Sequence, residues 1–457
     1  MPNTLYLPEL REMLAENNSA ELEEFCTAIH PARAAEFMEG LTAAETWAVL
    51  RNAELPVRAE IFRYFDPAKQ IEIIKTASRH EIAELIGALP PDDRVDLLNE
   101  VDKEVVAEIL PLVPMAERRD IQRLSAYAEG TAGAEMTTEF ARLGESLTVG
   151  QALAEIAKQA ENLETIYYLY VVDDEDHLRG LVSARQLVSS IGRPETPVAD
   201  LMERDLVTVH VNEPITSVAK KVARYNLLAI PVVDDQQRLV GIITHDDVID
   251  MVVEEATEDI HRMGGIAPLV DSYLESPFFT LWRKRAGWLA LLFVAELFTF
   301  TALAKFEHAI AAIVALALFV PLCISTGGNS GSQAATLITR AIALGQVTFK
   351  DWWRVLRHEI MMGLALGVTL GAIAFVRAAL TPQHILGDET SRWLLAITIS
   401  QSVAAICLWG TLIGSMLPLI FNRLGFDPGF ASSPFVATFV DVTGIVIYFS
   451  IAHFWLF

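Results

Sequence analysis

The sequence predicts a multi-domain membrane protein: a cytosolic α-solenoid, an α+β domain made of a tandem repeat, a connecting helix, and an all-α transmembrane domain with five spans. Three observations carry this. The net charge of −24 over 457 residues sits entirely in the first 285, which hold 27 Lys+Arg against 51 Asp+Glu; from Ala286 onward the counts are 8 and 8. A strand–turn–strand–helix motif occurs twice, 61 residues apart. The neutral part then contains apolar stretches long enough to cross a bilayer, about 20 residues each.

Residues 1–130 read as a helical superhelix-like domain. Apolar residues recur at three- and four-residue spacing in "AEIFRYFDPAKQIEIIKTA" and "EIAELIGALPPDDRVDLLNEV", and Asp-Pro and Pro-Pro-Asp-Asp break the pattern every dozen residues or so. Residues 131–253 hold the repeat. "YVVDDEDHLRGLVSARQLV" and "PVVDDQQRLVGIITHDDVI" each read as strand, acidic turn, strand opening on Gly, and helix. Residues 254–280 form an acidic connecting helix that stops at Gly264 and Gly265. Glu254, Glu255, Glu258 and Asp259 share one of its faces, where like charges repel and a divalent cation would relieve the repulsion.

Residues 281–457 supply five expected spans, near 286–304, 308–330, 357–380, 391–421 and 432–457. Eight Lys and Arg flank them on the side of Arg283, Lys284 and Arg285, and three (Lys305, Arg377, Arg392) on the other. The positive-inside rule therefore puts the acidic domains in the cytosol and the C-terminus outside. The second span carries Pro321 and then Gly327, Gly328, Asn329 and Gly331. Two readings fit this run: an unwound stretch lining a pathway, or a close helix contact. In the last span Asp441 is the only carboxylate, at a cost of about 3 kcal/mol or more. Ala437 and Ser433 lie four and eight residues before it and Gly444 three after, so its face is lined by small residues. Pro434 is expected to free the carbonyl of Phe430. A carboxylate in a wide, oxygen-lined path suits Mg2+, which dehydrates reluctantly.

Composition excludes other classes. An acidic surface argues against nucleic acid as a partner. Cys26, Cys323 and Cys407 have neither metal-type nor disulfide-framework spacing, as in a reducing compartment, and no signal-peptide pattern opens the chain. An intramembrane metalloprotease would need His-Glu-x-x-His; "HEIMM" has Met362 at the second His.

The repeat resembles tandem CBS domains. Its second copy, "GIITHDD", matches the nucleotide-binding form, with Thr244 and Asp247 at the ribose positions and ATP as the implied ligand; the first copy has Gln186 in place of the acid. The domain order, "GGNSGSQAATL" and "DPGFASSPFVATFVDVTGIVIYF" resemble the MgtE magnesium channels over nearly the whole chain. The resemblance implies a plasma-membrane homodimer that conducts Mg2+ (with Mn2+, Co2+ or Ca2+ as substitutes) through a path where Asp441 and the carbonyl of Ala437 meet the hydrated ion. Ser433 stands there where an amide is expected. It also implies closure by Mg2+ bound at Asp247, Asp250, Glu255, Glu258, Asp259, Asp427, the carbonyl of Ala223 and, in the helical domain, Glu60, Asp92 and Asp96. Pro214, Thr216 and Asn226 stand where the family has acids, so one or two of these sites are expected to be weakened. A secondary transporter exchanging divalent cations for H+ or Na+ is the competing class.

Overall fold

The computed structural model describes residues 4–160, 163–269, 273–274, 276–386 and 391–457. They form two compact units, residues 1–253 and 254–457. The expected connecting segment 254–280 includes 270–272 and 275, which lie outside the described residues.

The first unit opens with short helices from α1 (Leu7–Glu16) to α10 (Met115–Leu124), among them α5 (Leu55–Phe62) and α8 (Pro91–Glu100). Proline opens several of them, and Thr42 builds a capping box with Glu45. Neighbouring hairpins bury a continuous row of side chains, including Met38, Ile61, Ile73 and Leu85, which is the solenoid the sequence predicts.

The repeat folds twice into the same three-stranded sheet. β1 (Phe140–Gly144) pairs parallel with β2 (Thr165–Val172), which pairs antiparallel with β3 (Leu178–Ser183). β4 (Val209–His210), β5 (Ala229–Val233) and β6 (Leu239–Thr244) repeat that order. The helices are α11 (Val149–Gln159) and α12 (Ala184–Ser189) in the first copy, and α13 (Ile215–Tyr225) and α14 (His245–Met263) in the second. The acidic turns match atom for atom. Asp173 Oδ1 accepts the N–H of Glu175 and His177; Asp234 Oδ1 accepts those of Gln236 and Arg238. Asp176 and Gln237 follow with left-handed φ of 64° and 62°. The copies share a core in which Phe140 and Tyr170 meet Ala229 and Ile242. α14 passes without a break into the acidic segment, so the connecting helix is the extension of the last helix of the repeat. It ends as expected: Gly265, at φ 72°, donates its N–H to the carbonyl of Arg262.

The second unit contains α15 (Phe278–Lys305), α16 (Glu307–Ala312), α17 (Ala315–Ala343), α18 (Trp352–Ala379), α19 (Gln383–Leu386), α20 (Arg392–Arg423) and α21 (Ser433–Leu456). Among the described residues, four helical segments are long and apolar enough to cross a membrane: Phe278–Lys305, Phe349–Ala379, Arg392–Arg423 and Ser433–Leu456. The remaining expected span falls on α17. It is long enough at 29 residues, about 43 Å, but its Gly-, Ser- and Asn-rich run makes it less apolar. α20 packs against α17, α18 and α21, and α15 leans on α21.

Two expectations about this unit are corrected. The run from Ser325 to Ser332 is not unwound: α17 is continuous through it, with Pro321 inside the helix. Its glycines serve contact instead. A Cβ at Gly327 would come within 2.5 Å of Ile406 and 2.6 Å of Val440, and the carbonyls of Gly327 and Gly331 lie against Gly410 and Gly414 of α20. Those small residues let the two helix backbones approach closely. The break in this region comes earlier, at Ile313 and Val314, between α16 and α17. Second, Pro434 frees no helix carbonyl. It occupies the first turn of α21, and Phe430 belongs to the preceding 3-10 turn, Pro428–Phe430.

Candidate functional site

In the second unit Asp441 is half-buried on α21 and faces α17. The partner residue is Gly328: a Cβ there would lie 3.5 Å from the Ala437 Cβ and 3.6 Å from Asp441 Oδ1. Gly328 thus keeps space in front of the carboxylate and the Ala437 backbone. Ser433 sits at the start of α21, where its carbonyl accepts the Ser332 hydroxyl at 3.2 Å. Asn329 is exposed, with its amide 3.4 Å from Ser325 Oγ. Gly327, by contrast, is buried in the helix contact and does not face the carboxylate. Asp441, Ala437 and Gly328 come together; Gly327, Asn329 and Ser433 do not share that point.

In the first unit the acids of the helical domain and the repeat meet at the start of α8 and of α14. Asp92 is buried in the first turn of α8, and its Oδ1 has no hydrogen-bond partner. Burial, then the charges of Asp93, Asp247 and Glu164, hold its carboxyl well above the ordinary range. Burial also raises Asp247, whose carboxylate accepts the Thr244 hydroxyl and its N–H. Thr244 and Asp247 therefore bond to each other in this structure. Glu164, just before β2, is pushed up to about 7 by burial, with Arg63 opposing the shift. Arg63 of α5 pairs with Asp93 at 3.2 Å. Glu60, Asp96, Ala223 and Asp250 are exposed. The φ of 52° at Asn226 ends α13 in a left-handed cap.

In the second unit burial, then Asp259 and Glu258, raise Glu255; burial, then Asp427, raises Asp259. Arg262 stands among them. Its Nη2 lies 2.7 Å from Glu258 Oε2, its Nη1 bonds to Asp427, and Asp427 Oδ1 also accepts the N–H of Gly429 at 2.7 Å. Among the described residues no three His, Cys, Asp or Glu side chains converge closely enough to hold a metal ion. The buried, unpaired Asp92 Oδ1 beside another carboxylate nevertheless fits a cation ligand, because a lone buried anion is costly without a counter-charge.

Sequence reading missed Asp93, Glu164, Arg63 and Arg262. Asp93 adjoins Asp92 in "PPDDR", but spacing alone does not say which carboxylate turns inward. Nothing local marks Glu164. The two arginines sit one turn from chosen acids, so an i, i+4 check on Glu258 would have found Arg262.

The model of the divalent cation transporter family MgtE matches residues 320–451, that of the MgtE intracellular N domain matches 29–130, and the CBS domain model matches 132–193 and 198–254. The magnesium transporter MgtE of Thermus thermophilus is 39% identical over 334 residues, covering 73% of this chain and 72% of that one. This chain belongs to the MgtE family. The MgtE of Enterococcus faecalis is 34% identical over 333 residues, 73% of this chain and 71% of its own. Among solved structures, the soluble part of a magnesium transporter is 32% identical, with TM-score 0.52 over 55% of this chain and 97% of that one. The cytosolic domain of the Mg2+ channel MgtE in complex with ATP is 33% identical, with TM-score 0.50 over 53% of this chain and 98% of that one. As an MgtE-family protein the chain is a membrane transporter of divalent cations and not an enzyme, and its tandem repeat is a CBS pair.

Proposed function

We propose that this MgtE-family chain is a homodimeric Mg2+ channel closed by cytosolic Mg2+. The observation that carries the pathway is Asp441, a half-buried carboxylate on a membrane-length helix that faces a glycine, a ligand type suited to an ion that keeps its water. The acids of unit one, Asp92, Asp96, Asp247 and Asp250 with Glu60 and the Ala223 carbonyl, serve as one sensing surface. Glu255, Glu258, Asp259 and Asp427 serve as another. Mg2+ on these surfaces favours the closed state to the extent that it binds that state better. Arginine and lysine flanks support a cytosolic N-terminal part and an outer C-terminus. An ATP-bound relative supports a nucleotide site at Thr244 and Asp247, which would require their mutual hydrogen bond to open.

The competing exchanger reading drew on a broken helix and a lone membrane acid; α17 runs unbroken through Ser325–Ser332, which removes the first motive, while Asp441 supplies the second. Reversal potentials in planar bilayers check this: values that follow the Mg2+ gradient alone support a channel, and values that move with pH or Na+ refute it. For the pathway, Asp441→Ala in proteoliposomes should abolish Mg2+ uptake while the purified protein keeps its wild-type elution volume. Uptake at the wild-type rate would remove Asp441 from the path.

A further inference from the structure

Glu296 is a membrane-embedded acid to which the reading above gives no role. It lies inside α15, where an uncompensated carboxylate costs about 3 kcal/mol or more. It is on the packed side of that helix. Trp288, Leu292, Glu296, Thr299 and Leu303 recur at helical spacing; Leu292 is the buried residue of α15, and Leu303 packs on the core of the unit.

That side leans on α21, and two ring contacts bracket the pair. The ring of Trp288, eleven residues into α15, lies 6.2 Å from that of Phe435 in the first turn of α21. Phe306 stacks on Phe449 at 4.9 Å toward their ends. α15 and α21 therefore run in the same direction. Glu296 is eight residues past Trp288 and ten before Phe306; Asp441 is six past Phe435 and eight before Phe449. Both stand a little short of midway between the ring contacts, and so at the same depth. The Thr299 hydroxyl donates to Glu296 Oε1 at 3.0 Å, which orients the carboxylate on this face.

We propose that Glu296 is a second carboxylate of the cation path, level with Asp441, and a specificity-determining residue for divalent transport. Fixed negative charges at one depth repel each other. A divalent ion offsets twice the charge that a monovalent ion does. Mg2+ holds its waters, so each carboxylate acts through the hydration shell and direct ligation is not needed. The inference rests on the assignment of Asp441 to the path.

The test uses full-length protein in liposomes with internal Mg2+ chelated, so that sensing surfaces are unloaded. Uptake is measured against external MgCl2, with NaCl as competitor, for wild type, Glu296→Gln, Glu296→Asp and Asp441→Asn. Glu296→Gln should raise half-saturating Mg2+ at least about fivefold, the effect of removing one charge about 8 Å from a divalent ion in water-like surroundings, and Na+ should compete more strongly. Glu296→Asp should stay near wild type. Should Glu296→Gln fail to assemble on gel filtration, Thr299→Val replaces it, with an expected rise of about twofold from the lost orienting hydrogen bond. If Asp441→Asn is inactive while the position 296 or 299 variant keeps wild-type half-saturation and Na+ competition, Glu296 has no part in selectivity. If Asp441→Asn transports normally, the pathway assignment itself fails, and this inference with it.

Discussion

Individual carboxylates set the electrostatic character of the soluble unit. Glu164 is the clearest case, because burial lifts it from 4.5 to about 7. A raised acid binds its proton more tightly in the folded state. Its contribution to folding is complete below about pH 4.5, falls as pH rises, and is lost through 7. Asp92 is shifted in the same direction and for the same first reason. With divalent cations chelated, the start of α8 should therefore become more stable as pH is lowered from 8 to 6. Slower amide hydrogen exchange across residues 91–100 at pH 6, corrected for intrinsic rates, is the expected outcome. Glu164→Gln should flatten that dependence, and an unchanged pH profile in this variant would locate the effect elsewhere. Added Mg2+ should raise protection at pH 8 more than at pH 6, since protons and cations relieve the same repulsion.

At the scale of elements, the contact of α17 with α20 is built on missing side chains. The carbonyl of Gly331 lies against Gly414, and a Cβ at Gly331 would lie 2.9 Å from the Gly410 carbonyl oxygen and 2.8 Å from Val436. In the contacts of Gly331 with Gly410 and Gly414 both sides are backbone, so neither can step aside cheaply. Gly414→Ala should destabilise the unit by about 1–3 kcal/mol, the usual penalty for overpacking, seen as a lower midpoint in detergent thermal unfolding. Gly328→Ala is a different substitution, since its Cβ meets only ordinary contacts, at 3.5 and 3.6 Å. It should unfold like the wild type and instead reduce Mg2+ flux, because the new methyl stands before Asp441. Equal unfolding midpoints for Gly414→Ala and wild type would mean that the contact yields more readily than its backbone geometry implies.

For the whole molecule, the net charge of −24 is the governing quantity. Its acids are not free to repel uniformly, because Arg63 pairs with Asp93 and Arg262 bridges Glu258 and Asp427. These guanidiniums supply part of the counter-charge that a divalent cation would bring. Replacing Glu255, Glu258 and Asp259 together with Ala should leave conduction that persists at high internal Mg2+, and Mg2+ should protect the molecule less from protease. Closure at the wild-type Mg2+ concentration would show that these acids serve solubility alone. Monovalent salt screens the repulsion without bridging, so it should not reproduce full closure.

The domain order, the repeat with its 61-residue offset and the membrane-length helices were legible in the sequence, because each rests on local periodicity or on charge that accumulates along the chain. Asp441 was legible for a similar reason: a single carboxylate in an apolar helix stands out without knowledge of its neighbours. The course of α17 was not legible. Pro321 and three glycines carry the same local signal in an unwound segment and in a helix that others approach closely; the packing of α20 and α21 against them decided for the helix. Partnerships across the chain were equally hidden. Which acid of "PPDDR" turns inward, which arginine answers Asp427, and that Glu296 stands level with Asp441 depend on distances between elements far apart in sequence. Only the tertiary structure sets those distances, since burial and charge act through space.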